Sequence, residues 1–477
     1  VASPKTPADA AKAIIDRVER ADDYQVLSRM RTHGFWPKGE GLPPDPPDEA
    51  AERALLDAEK LRLSKEAFSS PEALQKALDA ERTRRIEESR KRRKERAAAR
   101  VEAAAARRSA WAKERASRIV FAGVDHSAKL EAQQSDEAKL LALGLPIMHT
   151  GGDLARFLDI DLKRLRFLTY HRRSATLVHY HRFSIPKKPG GVRHISAPKP
   201  ALKRAQNTVW KMLLEPASQG RLHAAAHGFV TSRNVVSNAA PHVGQAVVLN
   251  LDLKEFFPSV TFRRVRGLFM GLGYSGAVAT LLALLCTEPP RVDVAVDGKR
   301  LAVAVGERRL PQGACTSPII TNLLCRRLDA RLSGIGAALG FNYTRYADDL
   351  TFSAKDGDDV STLLFRVRQV IVDEGFVEHP EKTRVMRKGR RQEVTGVVVN
   401  HHCAVPREDV RRLRAVLHQA QRDGLEAQRR PGPDGQLPSV ASFVAELRGK
   451  IAWVQMVDRE KGDRLRAALD AVIAAPG

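Results

Sequence analysis

Cysteine is scarce in this chain. Its 477 residues hold four, Cys286, Cys315, Cys325 and Cys403, and no two stand at CxxC spacing. That argues against a zinc knuckle or a paired redox motif and suits a reducing compartment. The run His401-His402-Cys403 offers metal-ligand types, but no second ligand pair follows it at the spacing of a closed site. Long apolar runs are missing too. The longest, Ala277 to Cys286, falls well short of the roughly 20 residues that span a bilayer, and it reads as a buried helix. The opening Val1-Ala2-Ser3-Pro4-Lys5 lacks the pattern of a signal peptide. A cytoplasmic protein with no membrane partner is therefore expected.

Acid is in deficit. Lys and Arg number 80 against 56 Asp and Glu, a formal net charge of +24, with a sequence pI near 10.2. Such a balance points to a polyanionic partner, nucleic acid before others, although abundant Arg and Ala throughout could also reflect overall composition.

Residues 1–120 differ from the rest. Prolines cluster at Pro43-Pro44-Asp45-Pro46-Pro47, and from Pro71 onward to about Val120 a run without Gly or further Pro is dominated by helix formers. Glu87 with Lys91 and Glu88 with Arg92 have the favourable i,i+4 order. The spacing predicts a long solvated helix, either a charged spacer or a basic rod lying on nucleic acid through Arg90-Lys91-Arg92-Arg93-Lys94. A globular body is expected from about residue 140. Leu154, Phe157, Leu158, Leu162, Leu165 and Leu168 recur at helical spacing. His181 to Ala197 alternates around the turn Pro189-Gly190-Gly191, a hairpin signal. Val247 to Leu253 reads as a strand with Asp252 near its end, and Asn342 to Phe352 as a second hairpin with Ala347-Asp348-Asp349 at its tip. Helices are expected at 358–375 and from 406. Mixed strands and helices without a repeat imply an α+β class.

Three carboxylates at strand ends share one site if the strands are neighbours. In-line nucleotidyl transfer needs such a set, holding two Mg²⁺ ions about 3.5–4 Å apart. Consecutive Asp residues on a strand face opposite ways, so Asp348 and Asp349 serve the same metals only if the turn bends the chain. An ordinary Asp-Asp turn is the plain alternative.

The surrounding motifs carry a family resemblance. Tyr346-Ala347-Asp348-Asp349 is similar to the YxDD box of reverse transcriptases. Leu251-Asp252-Leu253-Lys254-Glu255-Phe256-Phe257-Pro258-Ser259 resembles the first palm motif, and Leu310-Pro311-Gln312-Gly313-Ala314-Cys315-Thr316-Ser317-Pro318 the second, in the family's order. Asn238-Ala239-Ala240-Pro241-His242 resembles the NAxxH box of bacterial retron reverse transcriptases, and Val394-Thr395-Gly396 their VTG box. The resemblance covers about residues 140–477. It implies a right-hand polymerase fold with fingers at 140–245, a palm at 246–400 and a helical thumb at 401–477, after an α-helical extension at 1–120.

The resemblance also implies roles. Asp252, Asp348 and Asp349 become the catalytic, metal-holding carboxylates, joined by the backbone carbonyl of Leu253. Phe257 becomes the sugar gate that rejects a 2′-OH, and Gln312 a contact to the incoming deoxynucleoside triphosphate. Ile185 to Arg193 resembles the fingers hairpin that grips the triphosphate, through Arg193 and one of Lys187 and Lys188, which the sequence leaves open. Lys382 falls where the family has a lysine acting as general acid toward pyrophosphate, a solvated loop lysine being the alternative. Asn238, His242, Thr395 and Gly396 become candidate RNA contacts, His242 alternatively a core residue and Gly396 a place where a phosphate approaches closely. In the thumb, Val410, Leu413, Val416 and Leu417 form an apolar stripe, with Arg407, Arg411 and Arg414 on another face.

A retron enzyme would bind its own structured non-coding RNA, start DNA at a guanosine 2′-OH and make a branched RNA–DNA hybrid, multicopy single-stranded DNA. It would leave template removal to a host RNase H and serve antiphage defence with an effector protein. A group II intron-like enzyme is the rival within the class; it predicts an extension beyond the thumb, which nothing before Gly477 resembles. A non-catalytic RNA-binding protein on a polymerase fold predicts lost carboxylates, yet all three are present.

Overall fold

The computed structural model describes residues 71–186, 191–356, 359–431 and 435–474, with short stretches between 27 and 62. The chain divides into two compact units, residues 1–108 and residues 109–477. The body thus begins earlier than residue 140. The reason is apolar: Ile119, Ala122 and Leu130 are buried in the main core.

The predicted long helix runs Pro71–Ser117. Its Arg90 to Lys94 cluster is exposed. Ion pairs along it include Glu81 with Arg85 at 3.1 Å and with Arg84 at 3.8 Å, and Arg84 with Glu88 at 4.0 Å. These stand in place of the expected Glu87–Lys91 and Glu88–Arg92 pairs, because Glu88 turns back one turn toward Arg84. Exposed pairs of this kind contribute little to stability.

In the second unit, strands β1 (Ser174–Ala175), β2 (Tyr180–Pro186) and β3 (Val192–Pro198) precede the chain's main strand, β4 (Val247–Asp252). The hairpin β2–β3 pairs Ile185 with Arg193, as the alternation predicts; its tip, with Lys187 and Lys188, lies outside the described residues. Strands β5 (Arg291–Val296) and β6 (Lys299–Ala304) form a separate sheet with β1. Then come β7 (Asn342–Tyr346), β8 (Asp349–Ala354) and β9 (Arg384–Arg387). They join β4 in an antiparallel sheet of order β7-β8-β4-β9.

The two faces of this sheet are read directly from β4. Val247, Leu249 and Leu251 join the main core, while Val248 joins a smaller cluster with Ala239, Val394, Val397 and Val399. This is the period-2 alternation of a strand buried on both sides. The main core is filled by helices including Gly276–Cys286, buried at every residue, Arg326–Ala338 and Val360–Asp373. Beyond β9, short strands β10 (Glu393–Val394) and β11 (Val397–Val398) lead to helices Arg407–Ala427, Val440–Val457 and Arg459–Ala474. These three enclose their own core of Val410, Leu413, Leu417, Leu447, Ile451 and Leu469, with Arg407, Arg411 and Arg414 exposed. Among the described residues no helix is long and apolar enough to cross a membrane.

If Arg90 to Lys94 contact phosphates, replacing all five with Gln will flatten log RNA affinity against log salt by about 0.7–0.9 per lost contact. Turnover on a saturating primed template stays unchanged. Parallel salt lines for the two proteins would rule the cluster out as an RNA contact.

Candidate active site

The register of β4 against β8 places Asp252 directly opposite Asp349. Residues directly opposed in an antiparallel pair share a face, so these two carboxylates meet on one side. Asp348 lies in the two-residue turn of the hairpin that pairs Tyr346 with Asp349. Ala347, the first turn residue, has φ of +57°, where hairpins favour Gly. This is the bend the sequence required, and it lets Asp348 leave the strand alternation. The Asp348 carbonyl accepts from the Leu253 N–H at 3.0 Å, which ties the turn to the end of β4.

The turn is held from behind. Arg345 and Asp329 are both fully buried and paired bidentately, with Nε–Oδ1 and Nη2–Oδ2 each 2.7 Å. Tyr343 donates its hydroxyl to Asp329 Oδ1 at 3.0 Å. Arg345 Nη1 donates to Asn322 Oδ1 at 3.0 Å and to the Ala347 carbonyl at 3.2 Å. Burial works against the Arg345 charge, but the Asp329 carboxylate outweighs it and holds the guanidinium above its usual pKa. Sequence reading missed Arg345, Asp329 and Asn322. The available signal was a charged residue set between the aromatic positions Tyr343 and Tyr346 of β7, which needs a partner once buried.

The carboxylates crowd one another. Burial first, then the charges of Asp348 and Asp252, push Asp349 up to about 7. Burial and Asp252 also raise Asp348, against its own backbone hydrogen bond and the charges of Lys382 and Arg193. Lys382 Nζ spans both oxygens of Asp252, at 3.0 and 2.9 Å. Arg193, exposed on β3, is thus near enough for its charge to be felt at Asp348. Hard oxygen donors that repel one another fit a divalent cation such as Mg²⁺. Among the described residues no three His, Cys, Asp or Glu side chains close into a metal-ligating group, and His401-His402-Cys403 forms none. An open set suits an ion whose shell substrate phosphates complete.

A cavity of about 460 Å³ is lined by residues including Phe229, Phe257, Lys203, Gly313, Ala314 and Cys315, Phe257 following Asp252 by five residues in the first palm motif. Phe257 is half-buried and packs against the main core, in which its neighbour Phe256 is buried. Gln312 accepts the Ser196 N–H at its carbonyl, 2.7 Å away. The second palm motif is thereby fastened to β3. Phe229 and Lys203 were not read from the sequence.

The two retron boxes correct an expectation. Asn238 and His242 are fully buried, so neither side chain is exposed to RNA. His242 bridges β8 and β7, with Nδ1 2.6 Å from Ser353 Oγ and Nε2 2.8 Å from Thr344 Oγ1. Burial, then nearby His227, lowers its pKa to about 3, so it is neutral. Asn238 donates to Thr395 Oγ1 at 3.4 Å. A Cβ on Gly396 would meet the Trp453 ring at 3.4 Å, so the missing side chain there leaves room for the indole. The boxes form one joint between the sheet and the C-terminal helices.

With this geometry in place, the chain can be set beside known proteins. Residues 185–399 match the family "Reverse transcriptase (RNA-dependent DNA polymerase)". The chain is 45% identical over 349 residues to the retron Mx162 reverse transcriptase of Myxococcus xanthus, covering 70% of this chain and 69% of that protein. It is 43% identical to the Mx65 enzyme of the same organism, over 74% of this chain and 80% of that protein. To the Ec86 enzyme of Escherichia coli it is 31% identical, over 70% of this chain and 92% of that protein. The chain belongs to the retron reverse transcriptases. This retron reverse transcriptase is an RNA-directed DNA polymerase on the right-hand polymerase fold. The family requires a divalent metal and handles RNA and DNA.

Because the folded Asp349 carboxyl binds its proton more tightly than the ordinary value of 3.8, it stabilises the fold at low pH. That contribution is lost as pH rises through about 7. In buffer free of divalent cations, Asp349→Asn will raise the melting temperature over wild type more at about pH 8 than at about pH 5. An equal difference at both pH values would contradict the crowding of the carboxylates.

Proposed function

We propose that this retron reverse transcriptase binds a cognate structured non-coding RNA, starts DNA at a guanosine 2′-OH in it, and copies part of it into DNA. The product is a branched RNA–DNA hybrid, multicopy single-stranded DNA. Residues 140–245 act as fingers, 246–400 as palm and 401–477 as thumb. The observation that carries the reading is the pairing of Asp252 with Asp349 beside the Asp348 turn.

In this reading Asp252, Asp348, Asp349 and the Leu253 carbonyl would hold two Mg²⁺ ions, which would supply activation of the attacking hydroxyl and charge neutralisation of the leaving pyrophosphate. The hydroxyl oxygen attacks the α-phosphorus of the deoxynucleotide, the bond to pyrophosphate breaks, and the hydroxyl proton passes to water. Arg193, with Lys187 or Lys188, offsets triphosphate charge. Gln312 contacts the nucleotide, and the Phe257 ring excludes a 2′-OH. Lys382, paired with Asp252 at rest, supplies a proton to the leaving oxygen. Thr395 remains a candidate RNA contact, being half-exposed. Host RNase H would remove the template, and an effector protein would couple synthesis to antiphage defence. Family membership supports these finer steps.

Asp348→Asn combined with Asp349→Asn should abolish primer extension while filter binding of the cognate RNA stays near wild type. Extension close to wild type would overturn the assignment. Phe257→Ala should raise ribonucleotide use relative to deoxynucleotide. Truncating a buried Phe typically costs about 3–5 kcal/mol, so the comparison is made on protein that melts cooperatively. An unchanged ratio would reduce Phe257 to a packing residue.

A further inference from the structure

We infer that Phe229 extends the aromatic wall that Phe257 begins in the nucleotide cavity, a specificity-determining residue against which the incoming deoxynucleotide seats. The inference rests on the polymerase reading of the site. Three observations carry it.

The first is conformational. Phe229 has φ of +57°, a backbone region that bulky side chains seldom adopt and that persists only where the surroundings impose it. The second is exposure. Its ring is 54% exposed yet lines the cavity with Phe257, and the two ring centroids lie 6.2 Å apart with planes at 52°. The bend therefore does not serve to bury the ring; it holds an apolar surface open to the cavity.

The third is attachment. His227 N–H donates to the Arg345 carbonyl at 2.8 Å, and Arg345 N–H to the Ala225 carbonyl at 2.7 Å, so this segment runs along β7. At Gly228 a Cβ would stand 2.5 Å from the Ala347 nitrogen; only a glycine lets the segment lie against the catalytic turn. Its carbonyl accepts from Asn322 Nδ2 at 2.8 Å, and Asn322 in turn accepts from Arg345. The network that shapes the Asp348–Asp349 turn thus also fixes the residue before Phe229. Phe229 and Phe257 bring two rings to a cavity whose other walls include Gly313, Ala314 and Pro198. The apolar faces of a deoxyribose and its base fit such a lining, and covering them removes apolar surface from water.

The test is steady-state primer extension on a fixed RNA template with Phe229→Ala, Phe229→Leu and Phe229→Tyr. Phe229→Ala should raise the KM for deoxynucleotide about tenfold, leave kcat and template–primer affinity near wild type, and be rescued by Phe229→Tyr. If Phe229→Ala loses its cooperative melt, Phe229→Leu, which keeps apolar bulk without the ring, gives the same KM increase. An unchanged nucleotide KM in folded variants overturns the inference. So does a loss confined to template–primer affinity, which would place the ring against the template. Asp348→Asn with Asp349→Asn and Phe257→Ala run alongside: if they behave as proposed while Phe229 variants do not, this inference fails alone. If the Asp variants retain synthesis, the reading of the site fails with it.

Discussion

The placement of the site depends on one buried ion pair. Arg345 stands one residue before the Tyr346-Ala347-Asp348-Asp349 box, fully buried, and Asp329 meets it from the helix Arg326–Ala338. Taking two charges out of water costs several kcal/mol per ion. The geometry offsets this by making both Arg–carboxylate bonds short and by giving the remaining donors and acceptors partners in Tyr343, Asn322 and the Ala347 carbonyl. An apolar pair of similar volume could fill the space. It could not hold the Ala347 carbonyl, nor reach through Asn322 to Gly228. The pair is therefore retained for what it positions, a turn with a positive φ that the chain would not otherwise adopt.

On the other side of that turn the balance of charge is reversed. Three carboxylates share one edge of the sheet, and in this state Lys382 is paired with Asp252 while Asp349 is held protonated up to about pH 7. The resting site is thus short of positive charge. Cations and the Arg193 side of the fingers hairpin would complete it, so assembly of the site and arrival of substrate become one event. Rigidity behind the turn and unmet charge in front of it are complementary: the first fixes where the carboxylates stand, the second makes them receptive.

Much of this was legible in the sequence. The short apolar run Val247–Leu251 and the longer one from Ala277 to Cys286 announced a buried strand and a buried helix. The carboxylates stood out through the motifs around them, the first-palm-motif and YxDD resemblances, since an Asp-Asp turn by itself is common. The Arg345–Asp329 pair was not, since its partners come from a strand and a helix whose docking is a tertiary fact. Asn238 misled for a related reason, since a polar residue in a short motif looks like a surface contact, while His242 takes the core alternative, its imidazole satisfied by Ser353 and Thr344 inside the sheet. Phe229 went unread because its torsion and exposure, rather than its residue type, set it apart. Arg459–Ala474 was not separated as a third helix because only Asp458 interrupts the helical pattern.

The account is tested most directly by Arg345→Lys, which keeps the charge but cannot make the bidentate pair and still reach both Asn322 and the Ala347 carbonyl. The quantity to measure is kcat for DNA synthesis at saturating nucleotide and template, on protein confirmed folded by its melt, with RNA affinity recorded in parallel. The account predicts a fall in kcat of about tenfold or more with RNA affinity unchanged. A folded Arg345→Lys protein with wild-type kcat would contradict it.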